Sequence, residues 1–235
     1  MNHMKLSVKL IGAFAVVAVI TLIVGAIGFW GVAQTDKALT EVAEVRLPSI
    51  AALDIINEAQ TAIESNQRTI LIPELYKDGT EIERFHLKNT EIWARVDKAW
   101  KIYEPLPQSQ EEAATWKQFT PAWEAWKRDS QRFNELIKAG KRDEALGLAT
   151  GPLRDSFTGA EELVTKLVQI NDQIANTYSK DALAQADFDR MMVSAGMLLG
   201  VVVAVLMGVF LSRSITKPIA RVQRCPGAWA AIDFQ

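Results

Sequence analysis

Cysteine is almost absent from this 235-residue chain, and the single one, Cys225, has no partner for an intrachain disulfide. Histidine is nearly as scarce, at two residues, and neither belongs to a paired-histidine helix that could hold a metal. There is no glycine-rich phosphate loop and no strained serine turn of the kind hydrolases use. Excess charge is missing too. A formal net charge of −2 argues against nucleic acid as a general partner. No stretch alternates apolar and polar residues for long enough to make a strand. These absences leave no basis for expecting an enzyme, a cofactor or a metal site.

Long apolar runs are present. From Met191 to Ser212 no residue is charged. At ~1.5 Å per helical residue these roughly 22 positions reach about 33 Å, enough to cross a hydrocarbon core of about 30 Å. A second run, Leu10 to Val32, lies near the N-terminus. Lys5 and Lys9 precede the first run, and Arg213, Lys217, Arg221 and Arg224 follow the second. Basic residues resist translocation, so both ends are expected in the cytoplasm and the intervening segment in the periplasm or outside the cell. A cleaved signal peptide ending at Gly31-Val32-Ala33 is the rival reading. Its apolar core would be about 7–15 residues, however, and this run is over about 20. The expected division is therefore a cytoplasmic N-terminus (1–9), a transmembrane helix (10–32), a periplasmic domain (33–190), a second transmembrane helix (191–212), a basic segment (213–224) and a tail (225–235).

The middle segment reads as helix throughout. Leu53, Ile56, Gln60, Ile63, Gln67 and Ile70 mark the inner face of a first helix, with Pro48 expected to kink or break it. Ile82, Phe85, Asn89, Ile92, Val96, Ala99 and Tyr103 form a heptad seam on a second helix, which Pro105 and Pro107 end. Ser109 followed by Glu111 and Glu112 signals a third start. Its seam is Trp116, Phe119, Trp123, Trp126, Ser130, Phe133 and Ile137, and Gly140 ends it. The fourth helix, through Leu163, Leu167, Ile170, Ile174 and Phe188, enters Met191 without a turn signal and is expected to form one rod with the second span. The fold class is all-α: an up-down-up-down four-helix bundle flanked by two transmembrane helices.

Polar residues on core seams are the candidate site. Gln67, Asn89 and Ser130 each lie about ten residues, or roughly 15 Å, from the distal turns, which puts them in one layer. Gln60 is seven residues from Gln67 on the same face. Such a layer either fixes helix register, as buried asparagines do in coiled coils, or forms the floor of a small-molecule pocket. Arg68 flanks this layer and could fork onto a carboxylate, which makes a small anion the first ligand to consider. Arg84, Arg95, Arg128 and Arg132 occupy similar flanks. His86 reads as a surface histidine beside the core position Phe85. Trp93 and Trp100, each one step after a core position, either fill a seam between subunits or widen the core.

The layout resembles that of bacterial methyl-accepting chemotaxis receptors. A short basic N-terminus, a span, a bundle of this size and a second span are followed by Ser212-Arg213-Ser214-Ile215-Thr216-Lys217-Pro218-Ile219. That last stretch is similar to the opening of a HAMP linker, with Pro218 at its entry as a signal-relay residue. Arg46-Leu47-Pro48-Ser49 also looks like a recurrent feature of these receptors. The resemblance implies a membrane-embedded homodimer that senses a small periplasmic ligand, directly or through a periplasmic binding protein. Displacement of helix four and its span would relay the signal. The residues from Cys225 to Gln235 depart from the family's pattern and look like a truncated or frameshifted end without the signalling domain. Sensor kinases and nucleotide cyclases carry similar input bundles, and a membrane-anchored protein-interaction module is the reading from another class.

Overall fold

The computed structural model describes residues 6–223, with side chains for residues 7, 8 and 10–213. The tail from Cys225 lies outside the described residues. Pro218 falls within the last helix, but its side chain also lies outside them.

Helix α1, Leu6–Thr40, continues into a π-helical segment, Glu41–Arg46, and then into α2, Leu47–Ile70. Pro48 has no N–H to offer the carbonyl of Glu44, and its ring would crowd that carbonyl in a regular helix. The expected kink or break is instead a widened turn. The N–H of Leu47 donates to Val42 O, five residues back, and the helix resumes with Pro48 in its first turn.

After α2 a single turn, α3 (Pro73–Tyr76), leads to α4, Gly79–Tyr103. The Asp78 carboxylate caps α4 by accepting from the Thr80 N–H at 2.9 Å. Helix α5, Gln110–Lys138, begins with a reciprocal capping box between Ser109 and Glu112 and runs unbroken through Pro121. It ends at Gly140, whose φ of +71° suits a residue without a Cβ. There the N–H of Lys141 reaches back to Leu136 O at 2.9 Å. Helix α6, Arg142–Thr150, follows, and α7 runs from Pro152 to Gln223. Arg142 donates from Nε and Nη2 to Leu71 O at 2.9 and 2.6 Å, satisfying a carbonyl at the end of α2.

The chain divides into two units. One, Lys37–Lys180, is the four-helix bundle of α2, α4, α5 and α7. The seams read from sequence on α2, α4 and α5 form its core: Leu53, Ile56, Ile63, Val96, Tyr103, Phe119, Trp126 and Phe133 are all buried. Small residues such as Ala52, Ala59 and Ala99 let α2 and α4 approach closely. Indole rings instead fill the space between α4 and α5. Trp100 packs 4.6 Å from Trp116, and Trp93 packs 5.3 Å from Trp126. Trp93 and Trp100 therefore widen the core within the chain.

The α7 seam agrees with expectation only in part. Leu167 and Ile170 are buried as expected, together with Leu153, Phe157, Ala160, Val164 and Asn171, whereas Leu163 and Ile174 are half-buried and Phe188 is 52% exposed. Larger apolar side chains on the flank drew the reading away from a seam that includes an alanine and an asparagine.

The second unit holds the apolar segments of α1 and α7. Both helices are long and apolar enough to cross a membrane, and almost none of either apolar stretch is buried. Phe14, Leu22, Phe29, Leu198 and Val201 are exposed, as lipid-facing residues are but soluble core residues are not. Glycines lie at points of close approach: Gly196 faces Val24, Gly200 faces Ile20, and Gly31 lies against Asp189.

Candidate functional site

Two polar clusters lie inside the bundle, one toward the end that carries Pro73 and Gly140 (the tip) and one at the opposite end (the stem). The tip cluster contains the residues expected from sequence. Gln67 Nε2 donates to Ser130 Oγ at 2.8 Å, and both side chains are buried. Asn89 Oδ1 accepts from Asn66 Nδ2 at 3.0 Å. Gln60, about two turns toward the stem, donates from Nε2 to Phe157 O at 2.9 Å and so ties α2 to α7.

This layer is only partly satisfied from within the protein. Gln60 Oε1, Gln67 Oε1, Asn89 Nδ2 and Trp126 Nε1 are buried without a protein hydrogen-bond partner. Two acceptors and two donors thus keep unused capacity in a place where an unmet polar group costs about 1–3 kcal/mol. The cluster contains no charge.

Arg68 does not join it. Its side chain is 68% exposed and pairs with Glu64 one turn earlier. Arg84, Arg95 and Arg132 likewise pair with Glu81, Glu58 and Glu135 at the surface. His86 is half-buried rather than superficial. Burial, followed by the charge of Lys138, holds its pKa below the ordinary histidine value.

The stem cluster was not anticipated. Arg46, 4% exposed, sits at the end of the π-helical segment. Its Nε donates to Glu41 Oε1 at 2.8 Å. Nη1 donates to Glu112 Oε2 at 2.7 Å and to Asn171 Oδ1 at 2.9 Å. Nη2 donates to Pro107 O at 3.1 Å.

Glu112 is fully buried. Besides Arg46 it accepts from Tyr103 Oη at 2.7 Å, Asn171 Nδ2 at 2.8 Å and the Ser109 N–H at 3.2 Å. One carboxylate therefore closes the α5 capping box and also neutralises a buried guanidinium. The electrostatics follow the geometry. Burial opposes the charge on Arg46, but hydrogen bonds and attraction from Glu41 and Glu112 outweigh it and hold its pKa above the ordinary value. Burial, then the bond to Glu112 and its negative charge, push the Tyr103 phenol far above its usual range.

The two clusters offer different chemistry. The stem cluster uses all three nitrogens of Arg46 and both oxygens of Glu112 internally, so it has little left for a ligand. The tip layer has hydrogen-bonding capacity but no charge.

Comparison with known proteins agrees with this architecture. Residues 3–186 match the family described as a four helix bundle sensory module for signal transduction. A protein of Bacillus subtilis named as a sensory transducer, YvaQ, is 20% identical over 223 residues, covering 94% of this chain and 38% of the relative. A sensory transducer so named in Acetivibrio thermocellus is 25% identical over 157 residues, covering 67% of this chain and 27% of the relative. The chain thus spans well under half the length of either relative. With the match extending over most of its residues, this chain belongs to the family of four-helix-bundle sensory modules for signal transduction.

Proposed function

We propose that this chain is the sensory input region of a chemotaxis-type transmembrane receptor, non-enzymatic, lodged in the bacterial inner membrane with its bundle in the periplasm. In this proposal both termini are cytoplasmic, the receptor works as a homodimer, and Pro218 opens a HAMP-type linker. The basic residues flanking the apolar runs support this orientation.

The observation that carries the reading is the partly satisfied polar layer at Gln60, Gln67, Asn89 and Ser130. A sensor needs a place where a guest gains more in one helix arrangement than in another. Buried amide groups with unmet hydrogen bonds meet that need. The exposed guanidinium of Arg68 is the nearest candidate contact in sequence for an anionic group at the mouth of the layer. Ligand binding would favour one placement of α7, and α7, helical from Pro152 to Gln223, would carry the change toward the cytoplasm.

The test is thermal melting of the full chain in lipid nanodiscs against amino acids, dicarboxylates, sugars and amides. At least one compound should raise the midpoint in a dose-dependent way, and Gln67→Leu should abolish that rise. No shift across the panel, together with capture of a periplasmic binding protein by the same nanodiscs, would replace direct sensing with sensing through that partner.

A further inference from the structure

The stem cluster points to a device that does not depend on the identity of any ligand. Asn171 is the last residue of α7 to be buried within the bundle unit. Beyond it the helix runs through Asp172, Gln173 and Asn176, all exposed, to Lys180. The contact of Asn171 with Arg46 and Glu112 is thus the final buried attachment of α7 before the chain continues to its apolar segment.

That attachment works in both directions. Asn171 Oδ1 accepts from Arg46 Nη1 at 2.9 Å, and its Nδ2 donates to Glu112 Oε1 at 2.8 Å. A slide of ~1–2 Å, typical of helix shifts in switching proteins, stretches both bonds at once, and a shift of one turn, about 5.4 Å, breaks them. No substitute lies one turn away, because Leu167, Val168, Ile174 and Ala175 flank the position on α7. A single register of α7 therefore satisfies the cluster, and any other leaves buried charges without their amide partner. Burial keeps water from softening the difference.

We propose that the Arg46–Glu112–Asn171 cluster is a latch on α7. Closed, it holds α7 in one register against the other helices. A shift of α7 requires it to open.

Pulsed electron paramagnetic resonance on the full chain in nanodiscs tests this, with Cys225→Ser as background. Spin labels at Ala51→Cys on α2 and Gln169→Cys on α7, both exposed positions, report the stem. Labels at Lys88→Cys and Arg132→Cys, also exposed, report the tip. With the labelled chain diluted into excess unlabelled chain, so that only distances within one chain are read, the parent should give one narrow distance for each pair. Asn171→Leu should broaden the stem distribution by half or more, or split it, and leave the tip pair unchanged. A stem distribution as narrow as the parent's overturns the latch. So does equal broadening of both pairs, which is general loosening. If Asn171→Leu loses its helical circular dichroism, Glu112→Gln is read by the same criteria, since it keeps the side-chain shape while removing the charge and turning one acceptor oxygen into a donor.

Discussion

The two ends of the bundle solve the problem of a buried polar group in opposite ways. At the stem, an arginine and a glutamate are taken out of water, and every strong donor and acceptor finds a partner. At the tip, four uncharged polar side chains sit in one layer of the core, and four of the polar atoms of that layer, counting the adjoining Trp126 Nε1, have none. The stem specifies one arrangement, because each alternative strands a charge. The tip tolerates several, because the penalty is smaller and a polar guest can remove it. A sensor needs both properties at different places: a layer that responds to occupancy and a contact that turns the response into a discrete choice.

The largest expected effect comes from breaking the stem. Glu112→Leu leaves the Arg46 guanidinium buried with Glu41 as its remaining carboxylate. Loss of one partner of a buried pair costs about 3–5 kcal/mol. Chemical denaturation of the full chain in nanodiscs, followed by far-ultraviolet circular dichroism, should show that drop. The double variant Arg46→Met/Glu112→Leu should recover most of it, since apolar residues of similar volume often replace a buried pair at no cost. If the double variant is as unstable as the single one, the capping role of Glu112 dominates and the contrast between the two ends weakens.

The tip should respond far less. Gln67→Leu removes one bond to Ser130 and one unpartnered acceptor together, so the two effects oppose each other. A change of about 1 kcal/mol or less in either direction is expected by the same measurement. A loss above about 3 kcal/mol would mean that the layer fixes register as firmly as the stem does. Arg68→Ala tests the flank. Its pairing with Glu64 is a surface contact worth about 0.3–0.5 kcal/mol, so apo stability should stay within about 0.5 kcal/mol. Any ligand-induced rise in melting point that depends on a carboxylate should disappear.

Much of this contrast was legible in the order of residues. Three of the four seams could be read at spacings of three and four, and those seams brought Gln67 and Ser130 together. The stem cluster lay on the same seams, one step further. Glu112 is four residues before Trp116, Asn171 four after Leu167, and Arg46 seven before Leu53. Charge hid Arg46 and Glu112, because an arginine or glutamate is almost never fully buried unless paired, and the pairing partners come from distant parts of the chain. Glu112 had a sufficient local explanation as a helix-capping residue, which obscured its second role. The π-helical segment was foreshadowed by Pro48, but a proline alone does not distinguish a kink from a widened turn.

The smallest expected effects concern pH, where the two ends should again differ in sign. His86 at the tip has a folded pKa below its ordinary 6.5, from burial first and Lys138 second. The unfolded chain then binds the extra proton more readily. The contribution is complete above pH 6.5 and is lost as pH falls through the depressed value. Asp54 at the stem is the reverse. Partial desolvation on the bundle surface, then the charge of Asp172, raises its pKa above 3.8, so the native state holds its proton longer. Its contribution is present below that pH and is lost as pH rises through the raised value. Melting curves between pH 3 and pH 8 should therefore lose a small slope just below pH 6.5 in His86→Gln, and a small opposite slope just above pH 3.8 in Asp54→Asn. Both slopes surviving in both variants would separate the pH response from these two groups and remove the contrast in sign between the ends.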